Sequence, residues 1–245
     1  RSQGDSMKKI LAGRKALVTG GTRGIGRAIA ERLRDQGASV TVTGTRAGGK
    51  PPRGCAYEAA DFADKAGTET FADAMARRGF DILVNNAGIN TIATFAAIDP
   101  ADYDAIQRVN ARAPFLLCRA LLPAMTRRRW GRIVNVTSIF GVISREQRGA
   151  YSASKFALDG MTAALAAEAA AAGVLANCVA PGFVDTDLTR RVLGAKGIKE
   201  LVGRIPARRL AKPDEIAALV AWLCGPENTY LSGQNIVIDG GFSRV

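Results

Sequence analysis

The sequence predicts an α/β fold: a single doubly wound parallel sheet with helices on both faces. Three observations carry this. Short β-rich runs alternate with longer helical patterns from residue 15 to the end of the chain. The first run closes on a glycine-rich turn that leads directly into a helix. No fixed-period repeat, low-complexity tract or Pro/Ser-rich linker divides the 245 residues, so one domain over 7–245 is expected. Arg1–Ser6, ahead of Met7, reads as a cloning remnant.

The elements follow in order. Lys15–Thr19 is the first strand, Gly20–Gly26 the turn, and Arg27–Gln36 a helix with Ala28, Ile29 and Leu33 on its apolar face. Ser39–Thr43 is the second strand. Arg46–Arg53 is too short and too rich in Gly and Pro for a helix, so the crossover to a third strand near Ala56–Ala60 is abbreviated. Helix over Thr68–Arg78, strand over Asp81–Asn85, a long helix over Pro100–Arg128 and strand over Arg132–Thr137 come next. Gly149–Ala172 is helical, Leu175–Val179 extended, Pro213–Cys224 helical and Asn235–Ile238 extended. Between them, Asp185–Lys212 places Gly194, Gly197, Gly203 and Pro206 among eight basic residues, the composition of an irregular, mobile flap.

Composition excludes several functions. Hydrophobic residues are 47% and charged residues 23%, an ordinary globular balance. The longest charge-free stretches, Ile82–Ile98 and Ala169–Val184, are broken by Asn, Gly or Pro, so no membrane span is expected, and no secretory leader is read. Histidine is absent, which removes Ser-His-Asp and Cys-His mechanisms and His-ligated zinc; no metal site is expected. Cys55, Cys118, Cys178 and Cys224 form no C-x-x-C pair, which fits a reduced, cytoplasmic setting. A formal charge of +12 suits an acidic protein, a nucleic acid or an anionic substrate without choosing among them.

Gly20, Gly24 and Gly26 stand at the first strand end in the spacing T-G-x-x-x-G-x-G, where a tight turn and free helix amides bind a pyrophosphate. The second strand ends in Thr43-Gly44-Thr45-Arg46, with no carboxylate to meet a ribose hydroxyl. Arg23 and Arg46 can instead pair with a 2′-phosphate, so NADP(H) is favoured over NAD(H); the alternative is that Arg46 opens a solvated loop. Tyr151 and Lys155, four apart, share one helix face, and a nearby ammonium is expected to lower the phenol pKa. Ser138 follows a strand at the carboxyl edge, where its hydroxyl can hold a carbonyl oxygen, and Asn110 lies inside the long helix where its amide needs a partner. Each has a bland alternative: a helix pair, a strand end, a backbone-bonded amide. Together with the glycine turn they point to one site.

Thr19–Gly26, Asn85-Asn86-Ala87-Gly88, Asn110, Ser138, Tyr151-x-x-x-Lys155 and Pro181-Gly182 resemble the short-chain dehydrogenase/reductase family, over Ile10–Val245. The resemblance implies a Rossmann sheet in which Tyr151 exchanges a proton with the substrate oxygen, Ser138 orients it, Lys155 binds the nicotinamide ribose and Asn110 anchors a water relay. It implies a cofactor along Gly20, Thr22, Arg23, Gly24, Ile25, Gly26, Thr45 and Arg46, then Asp61, Phe62, Asn86, Ala87 and Gly88. Beyond Tyr151 and Lys155, Pro181, Gly182, Val184 and Thr186 would lie along the carboxamide. Within the family the chain is most similar to 3-oxoacyl-(acyl-carrier-protein) reductases of fatty acid biosynthesis, through Gly21–Ala30, Asn85–Ile89, Arg132–Asn135 and Ile238–Gly241, phrases shared with sugar and polyol dehydrogenases.

That likeness implies reduction of a 3-oxoacyl thioester with NADPH. The alternatives are an NADP(H)-dependent sugar or polyol dehydrogenase and, more remotely, a nucleotide-sensing or nucleic-acid-binding protein, which intact Ser138, Tyr151 and Lys155 oppose. Arg127, Arg128 and Arg129 match a basic position that meets an acidic acyl-carrier protein, although Ala172 stands where a second basic residue is expected. No nucleic-acid partner is expected. A homotetramer through the long helices Pro100–Arg128 and Gly149–Ala172 and the C-terminal segment is.

Overall fold

The computed structural model describes residues 9–245; the expected remnant Arg1–Ser6 lies outside them. Seven strands form one parallel sheet: β1 (Lys15–Val18), β2 (Ser39–Gly44), β3 (Ala56–Ala59), β4 (Ile82–Asn85), β5 (Gly131–Val136), β6 (Val174–Pro181) and β7 (Asn235–Ile238), in the order β3-β2-β1-β4-β5-β6-β7. Central strands are apolar on both faces because helices cover both. Ala16, Val18, Ile82 and Val84 pack toward α1 (Gly24–Asp35) and α7 (Pro213–Cys224). Leu17, Leu83 and Ile133 pack toward α2 (Lys65–Arg78), α4 (Ala113–Arg127) and α5 (Gly149–Ala169). The chain winds outward from β1 to β3 and then returns to β4, so the order reverses between β1 and β4. The crevice beyond their carboxyl ends is the natural ligand position of such a sheet.

The β2–β3 crossover carries no helix over Arg46–Arg53, as expected. That segment folds against Tyr57, whose hydroxyl donates to the Arg46 carbonyl at 2.5 Å. Three expectations change. The long helix is not uniform: α3 (Pro100–Gln107) and α4 are joined by a π turn over Arg108–Arg112, with the Ala113 amide donating to the Arg108 carbonyl five residues back. Pro114 has no N–H for the Asn110 carbonyl, so the regular ladder is already broken there. The Gly149–Ala172 helix tightens to a 3₁₀ turn over Ala170–Ala172 before Gly173 ends it in the left-handed region, φ 77°. The Asp185–Lys212 segment is largely helical rather than irregular. Thr186 Oγ1 accepts from the Thr189 amide at 3.2 Å and starts α6 (Asp187–Arg204), which breaks only at Gly194, φ 62° and ψ 176°. Among the described residues no helix is long and apolar enough to cross a membrane.

Candidate active site

The crevice is built by stapling β1 to β4. Thr19 Oγ1 accepts from the amides of Asn86 (2.9 Å) and Ala87 (3.0 Å), and Asn86 Nδ2 donates to the carbonyls of Thr19 (3.0 Å) and Gly20 (3.2 Å). Asn86 therefore fixes the shape of the turn. Gly26 is required by close approach: a Cβ there would sit 2.4 Å from both the Gly20 carbonyl and Asn86 Nδ2. Gly24 has φ +54° and lies under Thr186, whose Cγ2 would be 3.5 Å from an added Cβ, so the loop after β6 closes over the turn. No side chain caps α1 and its first turn holds no acidic residue, leaving its amides and the positive end of its dipole free for an anion.

At the far end of the crevice, Thr43 is buried and its Oγ1 accepts from the Gly20 amide at 3.1 Å. Arg23, Thr45 and Arg46 are exposed, and neither arginine forms an ion pair among the described residues. Two unpaired guanidinium groups and no carboxylate at the strand end fit a phosphorylated ribose. Asp61 is exposed, its Oδ1 accepting from the Ala63 amide at 3.0 Å, and Phe62 is buried edge-on to Phe71. Ile25 packs inward against the α1–α7 core.

The structure brings Asn110, Ser138, Tyr151 and Lys155 to the carboxyl edge. Asn110 sits in the π turn, fully buried. Its Oδ1 accepts from the Ile89 amide (2.9 Å) and its Nδ2 donates to the Ile89 carbonyl (2.9 Å) and Ser154 Oγ (3.1 Å). It thereby pins the loop after β4 to α5. A Cβ on Gly88 would lie 3.4 Å from Asn110 Oδ1 and 3.7 Å from Lys155 Nζ, so the three groups surround one small space. Ser138 Oγ accepts from the Phe140 amide at 3.2 Å and faces the Tyr151 phenol.

The ionisation of this pair differs from expectation. Lys155 Nζ donates to the Val136 carbonyl at 2.9 Å and lies 5.6 Å from the centre of the Tyr151 ring, over its face rather than at its oxygen. Burial therefore raises the Tyr151 pKa, and the Ser138 hydroxyl and the Arg148 charge offset it only in part. Burial also lowers Lys155 to about 8. At neutral pH the site holds a neutral phenol and a largely protonated lysine. The cofactor-end residues after β6 are in place: the Gly182 amide donates to the Ile238 carbonyl at 2.9 Å, Val184 is buried against Ala211, and Thr186 caps α6.

Sequence reasoning missed an aromatic wall, Phe140 to Phe183 (ring centres 6.2 Å) and Phe183 to Phe242 (5.1 Å), both edge-to-face. Its available signal was position: Phe140 follows Ser138 by two residues and Phe183 follows Pro181-Gly182. It also missed an apolar rim. Ile89, Ile92, Val142, Leu188 and Val192, all from segments that follow strand carboxyl ends, are exposed. Arg127–Arg129 lie at the opposite, amino edge of the sheet, where α4 turns into β5. Arg128 is tied to Asp81 (3.3 Å) and the Phe80 carbonyl (2.7 Å), and Arg129 to the Ala171 carbonyl (3.1 Å).

Comparison with known proteins agrees with this geometry. A family model described as enoyl-(acyl carrier protein) reductase matches residues 20–243. Nodulation protein G of Rhizobium sp. is 39% identical over 245 residues, covering 96% of this chain and 99% of its own. A 3-oxoacyl-(acyl-carrier-protein) reductase of Aquifex aeolicus is 37% identical over 252 residues, with 96% and 99% covered. Among solved structures, a gluconate 5-dehydrogenase from Burkholderia cenocepacia in complex with NADP and tartrate superposes with a TM-score of 0.87 at 31% identity, covering 98% of each chain.

Proposed function

The chain belongs to the short-chain dehydrogenase/reductase family of oxidoreductases, and on that premise we propose that it reduces the 3-oxo group of an acyl thioester with NADPH. The observation that carries the reading is the convergence of Ser138, Tyr151 and Lys155 at one carboxyl edge of the sheet, with exposed apolar side chains suited to an acyl chain on the loops of that edge.

The α1 amides would hold the diphosphate of a dinucleotide and Arg23 and Arg46 its 2′-phosphate, and the dinucleotide, when bound, would supply the hydride. Ser138 donates to the carbonyl oxygen and aligns it with Tyr151. Tyr151, kept protonated by burial, gives its proton to that oxygen as the alcohol forms. The Lys155 ammonium compensates the phenolate left behind. Because Lys155 loses its proton near pH 8, this support fades on the alkaline side.

A cytoplasmic setting goes with the four free cysteines, and docking of an acidic carrier protein would use Arg127, the member of its triplet free of the ties that hold Arg128 and Arg129. A homotetramer also belongs to this reading: Phe115 on α4 and Phe156 on α5 are exposed, as are Trp222 and Tyr230 near the C-terminus. Sedimentation equilibrium at micromolar concentration is expected to return four times the chain mass, and a monomer mass would refute it.

A second reading, a sugar or polyol dehydrogenase, rests on the likeness to the gluconate 5-dehydrogenase. NADPH and NADH oxidation with an acetoacetyl thioester, run side by side, separates the two. Turnover with NADPH is expected, and Arg46→Ala should cut the preference for NADPH by about tenfold, the loss of one charge-assisted contact. Inert thioester with brisk turnover of a keto-sugar acid would move the assignment to the second reading.

A further inference from the structure

The sheet face under α5 is apolar until its last row. It presents Leu83 on β4, Ile133 on β5, and Val174 and Ala176 on β6, all buried. Alternation along each strand brings the next inward side chains to the same face, and these are Asn85, Asn135 and Cys178, buried and in register across β4, β5 and β6. Asn85 Nδ2 donates to Asn135 Oδ1 at 2.8 Å, and Asn135 Nδ2 donates to Thr162 Oγ1 on α5 at 2.8 Å. Thr162 in turn donates to the Leu158 carbonyl of its own helix at 2.6 Å, and the Cys178 thiol meets the same Thr162 oxygen at 3.1 Å.

Polar groups in a core are costly where apolar ones would pack, and their best-attested return is to fix a register that apolar contacts leave loose. The buried stripe of α5 carries one large apolar side chain, Leu158; beyond Thr162 stand Ala166 and Ala169, too small to lock the helix at one height along the sheet. Among the described residues, the side-chain hydrogen bonds between α5 and the sheet are the Lys155 bond to the Val136 carbonyl and those that gather at Thr162 and the Leu158 carbonyl. Asn135 and Val136 are consecutive on β5, and the same strand runs on to Ser138. Thr162 lies two helical turns, about 10 Å, beyond Lys155. A helix held at Thr162 is therefore held at Tyr151 and Lys155 relative to Ser138.

We propose that Asn135 and Thr162 are positioning residues: their hydrogen bond sets the height of α5 on β5 and so places Tyr151 and Lys155 against Ser138. This deepens the carbonyl-reductase reading and rests on it for its kinetic consequences, while neither residue touches the reacting atoms. Without the bond, α5 settles along its apolar face and the Lys155 ammonium draws away from the Val136 carbonyl. The titratable groups that face Lys155 are Tyr151 on its own helix and the Cys178 thiol on β6. Burial pushes both up, so both are neutral at pH 7 and the Val136 carbonyl is the contact that stabilises the ammonium.

Three variants test this. Thr162→Val keeps the branched shape and removes the oxygen, Asn135→Thr suits a strand and cuts the same bond from the other side, and Thr162→Ser keeps the oxygen. With NADPH and the acetoacetyl thioester, each of the first two should lower kcat by about 10- to 100-fold, the penalty of misplacing reacting groups by about 1 Å, with the dissociation constant of NADPH within about threefold. Thr162→Ser should stay near the wild type. The double variant Asn135→Thr/Thr162→Val should lose no more than the worse single one, because both remove one bond. A lowered melting temperature with kcat unchanged, or losses that add, overturns the proposal. A second readout needs no turnover: the Lys155 ammonium, followed by NMR in protein carrying isotope-labelled lysine and identified by its loss in Lys155→Met, titrates at about 8 in the wild type. In Thr162→Val it should titrate lower by about half a unit or more as its acceptor recedes, and in Thr162→Ser it should not move. An unmoved or raised midpoint in Thr162→Val overturns the proposal whatever the protein reduces. A lowered midpoint in a protein that reduces no thioester would support the positioning role and sink the acyl-thioester reading.

Discussion

Tyr151→Phe is expected to lower kcat by about a thousandfold, within the range general acid catalysis contributes, while NADPH affinity stays within about twofold. The substitution keeps the ring, and with it the 5.6 Å contact of the Lys155 ammonium, but removes the proton that completes the alcohol. Ser138 still polarises the carbonyl, which is why a residual rate remains. A fluorescence titration with NADPH, alongside single-turnover reduction of the acetoacetyl thioester, reads both halves. Retention of a tenth or more of the wild-type rate would remove Tyr151 from the acid role, and loss of NADPH binding would show that the hydroxyl holds the cofactor instead.

Lys155→Met is expected to abolish turnover and at the same time to stabilise the protein. Lys155 is 3% exposed, makes one hydrogen bond, and titrates near 8 because burial penalises its charge. The unfolded chain keeps that proton up to about pH 10.4. Below pH 8 both states are protonated and the folded state carries the full cost. Between pH 8 and about 10.4 the unfolded state binds more protons, so this group's contribution to stability rises with pH. Methionine removes the cost at its source. The gain should therefore be greatest at pH 7, about 1–3 kcal/mol, and shrink toward zero by pH 10.4. Cys118, Cys178 and Cys224, each pushed up to about 12 by burial, act in the opposite direction, because their unfolded thiols ionise first as pH rises. They are common to both proteins and cancel in the difference. Calorimetry of the two at pH 7 and pH 10 gives the comparison, and a variant less stable than wild type at pH 7 would contradict it.

What was legible in the sequence was local. The strand–turn–helix at Lys15–Asp35, the Tyr151–Lys155 spacing and Ser138 at a strand end are fixed by a few adjacent residues. Their placement at one edge follows from a parallel sheet, in which every strand ends on the same side. What was not legible depends on partners distant in the chain. The π turn needs Pro114 to break one bond and Ile89, from another element, to hold the Asn110 amide. From helical spacing alone Lys155 was expected beside Tyr151, where its ammonium would lower the phenol pKa. The Val136 carbonyl, delivered by β5, draws it over the ring instead. The Arg127–Arg129 triplet was read as a free patch, but Asp81 and two backbone carbonyls from neighbouring elements hold two of its members.

The π turn also restricts how the gene for this chain can change in length. A helix turns about 100° per residue, so removing one residue from Arg108–Arg112 would rotate all of α3 relative to α4 by that angle. Ile106, fully buried, would leave the interior, and the Asn110 position would turn away from Ile89. Deleting one residue from these five is therefore expected to destabilise the fold far more than deleting one from the Arg46–Arg53 loop, which thermal melts of the two deletion variants would compare.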